Sequence, residues 1–337
     1  MKAARPLRWG VIGTGSIAAS FVSDLELTES GEAVAIGSRL QSTADRFGDR
    51  YGVPNRHASY ASVVEDPDVD AVYVATPHPL HRENAVLALR AGKPVLVEKA
   101  FAMNAAEARV IVDEARGAGL FAMEAMWTRF MPRVAEIREI VAKGWLGEIV
   151  AVLGEFGVWF APDPHTRWFA PELGGSAVLD LGCYLVSFSS MLLGRPDRVL
   201  ALVRRSFTGV DGQTSILLGH PNGSQAVLTC NVFGDGPKCV SVIGTEGRID
   251  VDAPFYAPAG FTFVPRKGDP VRHEGSHEGG GWRHEADEVA RCLAEGLLES
   301  PLMPLDETIS IMETLDAVLA QTGPAVGSPG VDDSRGA

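Results

Sequence analysis

Cysteine is scarce in this chain. Its 337 residues include four, Cys183, Cys230, Cys239 and Cys292, widely scattered and with no C-x-x-C pair. Such spacing excludes a disulfide framework and a structural zinc site, and fits reduced, buried thiols in a cytoplasmic protein. Positive charge is also short: 30 Lys and Arg against 43 Asp and Glu leave a formal net charge of −13. A protein that tracks a phosphate backbone carries a basic face, so nucleic acid is excluded as a partner. Long apolar runs are missing as well. None approaches the roughly 18 residues of a membrane span, and the N-terminal residues lead into a strand without the apolar stretch and cleavage site of a signal peptide. No internal repeat is visible.

What the chain does have is 46% hydrophobic residues, enough for a sizeable core, and a length that suits two domains of roughly 150 residues each. Over residues 1–125, short β-rich runs at 7–12, 33–37, 71–75, 94–97 and 120–123 alternate with helical patterns such as 81–91 and 104–118, which stop at Gly92 and Gly119. This alternation predicts an α/β fold whose first half is a doubly wound parallel sheet with crossover helices. Beyond Met131 the rhythm changes to a helix over 134–143, a strand near 149–158 and, from Val199 on, β-rich runs joined by turns such as Pro221-Asn222-Gly223 and Gly244-Thr245-Glu246-Gly247. Sequential strands joined by tight turns pair antiparallel, so residues 126–322 are expected to form a C-terminal α+β domain with an open, mainly antiparallel sheet. Amphipathic helices over 283–295 and 305–320 are expected to pack back on the first domain, and 323–337, rich in Gly, Pro, Ser and Asp, reads as a flexible tail. Strands over 224–232 and 240–251 carry apolar residues on both faces. An open sheet of that kind needs cover, which predicts a homodimer through it.

The first strand runs directly into Gly13-Thr14-Gly15-Ser16-Ile17-Ala18. Taken alone this G-x-G-x-x-A loop reads equally as a tight strand-to-helix turn or as a phosphate cradle, in which backbone N–H groups and the helix dipole face a dinucleotide. Where the second strand of such a unit would carry an acid to hold the ribose 2′-hydroxyl of NAD, this chain has Ser38 and Arg39. Both donate to a 2′-phosphate, which favours NADP over NAD. Ala75-Thr76-Pro77-His78 follows a later strand, at the edge where ligands of open sheets bind, and is expected to line the cofactor with His81. The two histidines have no nearby carboxylate partner, so no metal site is expected.

Glu98 and Lys99 end the next strand. Alone, Lys99 reads as a lysine leaving the sheet into solvent. In a cleft it would hold a substrate hydroxyl and favour a neighbouring anion. The run 176–193 is an unusually apolar helix whose exceptions include Asp180 and Tyr184, spaced i, i+4 on one face. A lone tyrosine there reads as a core residue with its hydroxyl satisfied. A carboxylate one turn away is costly to bury without a partner or a ligand.

The GTGSIA loop, Glu98-Lys99-Ala100, the segment 174–184 (GGSAVLDLGCY), the segment 121–133 (FAMEAMWTRFMPR) and Arg167-Trp168 together resemble the Gfo/Idh/MocA oxidoreductases. They are most similar to the branch of dihydrodiol and aldose dehydrogenases, in which tyrosine, here Tyr184, replaces the more common histidine. The resemblance spans residues 7–321. It implies a Rossmann domain, a homodimer, and hydride transfer between the nicotinamide of NADP and a carbinol carbon of a sugar, polyol or cyclic trans-diol. Tyr184 would exchange the hydroxyl proton, Lys99 would lower its pKa, and Asp180 would orient substrate hydroxyls. Trp127, Arg129, Arg167 and Trp168 would shape the cofactor and substrate cleft. Alternatives are a keto-sugar reductase acting on a nucleotide-linked sugar and a non-catalytic NADP-binding sensor. One departure stands out: the family usually has proline after the lysine, and Ala100 relaxes that constraint on Lys99.

Overall fold

The computed structural model describes residues 5–275 and 278–321. Its first half is β1 (Leu7–Ile12), α1 (Ser16–Leu25), β2 (Gly31–Gly37), α2 (Gln41–Tyr51), β3 (Asn55–His57), α3 (Tyr60–Val64), β4 (Ala71–Val74), α4 (His81–Arg90), β5 (Val95–Glu98), α5 (Ala105–Ala118) and β6 (Ala122–Ala125). The six strands form one parallel sheet in the order β3-β2-β1-β4-β5-β6. β4, β5 and β6 are buried along their whole length, as strands covered by helices on both faces must be. The chain reverses its winding between β1 and β4, which opens a crevice at their carboxyl ends. Helix ends follow local chemistry. Asn104 caps α5 by accepting the Glu107 N–H at 2.9 Å, and Gly119 closes it in the left-handed region.

The second half holds α6 (Pro132–Ala142), β7 (Ile149–Gly157), α7 (Cys183–Leu193), β8 (Arg198–Arg205), β9 (Asp211–Gly219), β10 (Gln225–Asn231), β11 (Val240–Gly244), β12 (Gly247–Val251), β13 (Gly260–Pro265), β14 (Val271–Glu274), α8 (Arg283–Ala294) and α9 (Leu305–Leu319). Its eight strands run β14-β13-β12-β11-β7-β10-β9-β8, antiparallel except for the β7–β10 pair. α7 packs on one face, and α9 bridges α5 and α7 while α8 packs on α1. Long-range packing therefore ties the two sheets together.

Four sequence expectations change. β3 was not expected, because three polar edge residues carry no apolar alternation. β6 begins two residues later than the apolar run suggested and includes the buried Glu124. The helix over 176–193 is not uniform: Val178–Gly182 forms a π-helical turn before α7. Finally, Pro171–Leu193 is long and apolar enough to cross a membrane by composition, contrary to the expectation that no run approaches that length, but 83% of its most apolar window is buried. It is a core segment, apolar because sheet and helices surround it. The tail expected at 323–337 lies outside the described residues.

Candidate active site

A cleft of about 710 Å³ opens over the carboxyl ends of β1, β4 and β5. At one end is the glycine loop. Gly13 has φ 107°, and a Cβ there would lie 2.6 Å from the Ala75 carbonyl, so only glycine lets β1 approach the β4 loop. A Cβ at Gly15 would point into open space, and no side chain caps α1. The N-terminus of α1, with Ser16 and Ile17, thus faces the cleft with free backbone donors, an arrangement that fits a diphosphate. Ser38, buried, and Arg39, exposed, line the same end beside Tyr60.

The β4 loop forms one wall through Ala75, Thr76 and His78. His78 Nε2 lies 3.1 Å from the Lys99 carbonyl, and burial holds its pKa below the ordinary histidine value. His81 lines the same wall. It is fully buried at the base of the cleft, with Nε2 2.7 Å from the Thr76 carbonyl and Nδ1 2.9 Å from the Ala100 carbonyl. Burial pulls its pKa to about 3, so the imidazole is neutral and donates its single N–H to one of these two carbonyls, tying its helix to a strand loop.

At the centre, β5 delivers Glu98 and Lys99, and the π-helical turn delivers Asp180. The Lys99 ammonium donates to the Asp180 carbonyl at 2.9 Å and to Asp180 Oδ1 at 3.2 Å. Arg167 donates to the same oxygen. Asp180 is 1% exposed. Burial alone would raise its pKa, but Lys99 and Arg167 hold it below the usual carboxylate range. One carboxylate oxygen of Asp180, Oδ1, is thus shared by two cations of the chain itself. The Lys99–Ala100 peptide bond is cis, and the two Asp180 contacts fix the lysine without the usual proline.

Tyr184 lies one helical turn on, with Lys99 Nζ 5.0 Å from its ring centre. Burial pushes its phenol well above the ordinary value, and Lys99 opposes that shift. Burial acts on Lys99 in the opposite sense, but Tyr184 and Asp180 outweigh it and raise the ammonium. At neutral pH the pair is therefore a phenol beside an ammonium. Glu98 accepts hydrogen bonds from the Tyr73 hydroxyl and, at 3.2 Å, from the Lys99 backbone N–H. Its carboxyl is raised chiefly by burial.

Arg167 and Trp168 line the cleft. Arg167 stacks over the Trp168 ring at 4.3 Å, and Trp168 stacks on Phe160 at 3.7 Å. Trp127 and Arg129 do not line it. The Trp127 indole lies behind Tyr184 and donates to its hydroxyl at 2.8 Å. Arg129 is buried and directs its guanidinium to Ser187 Oγ at 2.8 Å, the Ser187 carbonyl at 2.9 Å and Glu307 at 2.6 Å. It clamps α7 to α9, and no donor reaches the cleft. Trp282, which does line the cleft, was missed in the sequence. The only signal was a tryptophan directly after three glycines in a segment without helical spacing.

Residues 7–126 match the family described as an oxidoreductase family with an NAD-binding Rossmann fold, and residues 134–250 match the GFO/IDH/MocA C-terminal domain. Among curated proteins, the chain is 37% identical to the trans-1,2-dihydrobenzene-1,2-diol dehydrogenase of Bos taurus, covering 94% of this chain and 97% of that protein. It is 35% identical to the human protein of the same name over 98% and 99% of the two chains. Among solved structures, a 3-ketoreductase from Actinomadura kijaniata in complex with NADP and TDP-benzene superposes with a TM-score of 0.85 at 26% identity, over 95% and 99% of the chains. An aldose-aldose oxidoreductase from Caulobacter crescentus shares the fold, with a TM-score of 0.85 at 24% identity over 94% and 97% of the chains. A glycine loop at a sheet switch point, a lysine and a tyrosine meeting across the cleft and matches along nearly the whole length lead to one conclusion: the chain belongs to the Gfo/Idh/MocA family of oxidoreductases.

Proposed function

We propose that the protein is an NADP-dependent dehydrogenase that acts on a CH–OH group of a cyclic trans-diol, sugar or polyol, with Lys99 and Tyr184 as its catalytic pair. The observation that carries this reading is the convergence of Lys99, Asp180 and Tyr184 at the middle of a cleft whose far end is a phosphate cradle. Curated relatives at 35–38% identity named for a trans-diol support the substrate class. We read the chain as dividing near residue 125 into a cofactor domain and a substrate domain.

When bound, the nicotinamide supplies or accepts hydride. Gly13, Gly15 and the α1 N-terminus would hold the diphosphate, and Ser38 with Arg39 the 2′-phosphate. In carbonyl reduction Tyr184 gives its phenolic proton to the substrate oxygen, and the resulting phenolate rests beside the Lys99 ammonium. In alcohol oxidation the phenolate takes that proton back. Asp180 holds Lys99 and Arg167 in place, and Trp168 with Phe160 offers an apolar wall for a ring.

The test is absorbance of NADPH against a panel containing trans-1,2-dihydrobenzene-1,2-diol, D-xylose and D-glucose, with NADP and NAD in parallel. Oxidation by NADP of at least one member is expected. Silence across the panel despite tight NADPH binding would favour a sensor. The 3-ketoreductase at 26% identity supports a second reading, reduction of a nucleotide-linked keto-sugar. Tighter binding of a nucleotide-linked sugar than of the free sugar would establish it.

Arg39→Ala tests the cofactor choice. Losing a charge-assisted bond to the 2′-phosphate is expected to raise the KM for NADP about ten- to a hundredfold while leaving that for NAD nearly unchanged. Equal KM changes for both cofactors would remove Arg39 from 2′-phosphate recognition.

We infer a homodimer through the free face of the second sheet. Leu153, Val227, Leu217 and Leu200 are register neighbours across β7, β10, β9 and β8, and all are exposed. Leu202, two residues on, is 78% exposed. A contiguous apolar row of this kind marks an association surface. Leu200→Glu combined with Leu217→Arg should yield a folded monomer in sedimentation at micromolar concentration, where the unaltered chain sediments as a dimer. The four unpaired cysteines support a cytoplasmic location.

A further inference from the structure

We propose that Trp127 is a positioning residue for proton transfer at Tyr184: its indole N–H fixes which way the phenol hydrogen points. The proposal rests on the reading of Tyr184 as the proton carrier. An indole N–H is a donor and never an acceptor. With Trp127 Nε1 at 2.8 Å from the Tyr184 oxygen, that oxygen must accept, and its own hydrogen must leave in another direction. Trp127 occupies the buried side of the phenol, and the remaining open side is the cleft that Tyr184 lines. The phenol is thereby aimed at the substrate before any substrate arrives. The same bond strengthens when the oxygen becomes anionic, so it favours the phenolate that reduction leaves behind.

The indole is gripped in this position. Trp282 packs against it at 4.9 Å between ring centres with a 32° tilt, and Tyr256 meets it edge-on at 5.9 Å. Gly281, at φ 105°, lies so close that a Cβ would fall 3.4 Å from the Trp127 ring and 2.4 Å from Met131 Sδ. Trp282 is pinned in turn. The Asp24 carboxylate, near the end of α1, accepts the backbone N–H groups of Gly280, Gly281 and Trp282 at 2.9, 2.7 and 2.9 Å. Helix α1 thus meets the diphosphate cradle at its start and holds the support of Tyr184 at its end. The titratable groups around the phenol are Glu98 at the end of β5 and Lys99 just after it, Cys183 from its own helix, and the hydroxyls of Tyr73 and Tyr256, with Asp180, Arg167 and His78 in the same cleft. Lys99 is the cation that lies over the Tyr184 ring.

Trp127→Phe keeps the ring and removes the N–H. Measured with trans-1,2-dihydrobenzene-1,2-diol and NADP, it is expected to bind NADPH normally, to lose about tenfold in kcat, and to shift the alkaline rise of oxidation upward by about one pH unit. In a Tyr184→Phe background the same substitution is expected to change nothing further, because its effect passes through the phenol. An equal loss in both backgrounds, or an unshifted pH profile, would overturn the proposal. Full turnover by Tyr184→Phe alone would instead overturn the catalytic reading. Should Trp127→Phe fail to bind NADPH, indole ¹⁵N resonances of the unaltered chain decide. One of the six tryptophan signals is expected to move upfield in Tyr184→Phe, and the absence of any such movement would sink the proposal.

Discussion

Tyr184→Phe is expected to lower turnover by about 10²- to 10⁴-fold, the usual cost of losing a positioned general acid or base. NADPH affinity should be nearly unchanged. The ring stays in place, packed between Phe156, Tyr256 and Trp127, so the fold keeps its contacts. What disappears is one oxygen that accepts from Trp127 and faces the cleft. The loss should be seen in kcat rather than in KM, since the proton moves only in the chemical step. The pH profile of the unaltered enzyme carries the complementary sign. Burial raises the Tyr184 phenol above its ordinary value. It is therefore protonated at neutral pH, ready to donate in reduction, whereas oxidation requires the phenolate and should accelerate as pH rises into the alkaline range. Oxidation that stays flat with pH, or a Phe variant of normal kcat, would exclude Tyr184 as the proton carrier.

Lys99→Ala is expected to lose about 10²- to 10³-fold in turnover by removing the cation that stabilises the developing phenolate. It should also cost stability. Asp180 is almost fully buried and shares Oδ1 between Lys99 and Arg167. Removing one member of a buried ion pair costs about 3–5 kcal/mol. Arg167 is 48% exposed at its side chain but remains a partner, so a value at the lower end of that range is expected. The sign with pH follows from Asp180. Its folded-state pKa is depressed, so the contribution is present above the ordinary carboxylate value and is lost as pH falls through the depressed one. The variant and the parent should therefore differ most in unfolding free energy near neutrality and converge in strong acid, where Asp180 is protonated in both. Urea unfolding at a series of pH values measures this. A constant difference across the series would mean that the lysine stabilises the fold by some route other than Asp180.

Several positions could be read from local sequence. A glycine loop directly after an apolar strand carries its meaning within a few residues, because Gly13 answers to a backbone angle and Gly15 to a helix end. Ser38 and Arg39 follow at the end of the next strand, and Lys99 at the end of β5, since parallel strands deliver their carboxyl ends to one edge. Asp180 and Tyr184 share a face in the sequence pattern, and the structure keeps them together although the turn between them is π-helical. Trp127 and Arg129 show where such reading stops. They lie two residues apart in a motif expected to face the cleft, yet one supports the phenol from behind and the other ties α7 to α9. His81 lines the cleft, but both its ring nitrogens face backbone carbonyls of strand loops.

By itself, then, the sequence determined the parallel sheet, the glycine loop at the end of β1, the cofactor preference it suggests, and the residue types available for proton transfer, because each depends on short-range backbone geometry and strand order. Only the tertiary structure decided which of those side chains reach the cleft. That Asp180 is held by Lys99 and Arg167, that Trp282 enters from a glycine segment pinned by Asp24, and that a tryptophan donates to Tyr184 are matters of packing between distant segments. The direction in which a buried side chain points is set by the neighbours that satisfy its donors and acceptors, and those neighbours arrive only when the chain folds.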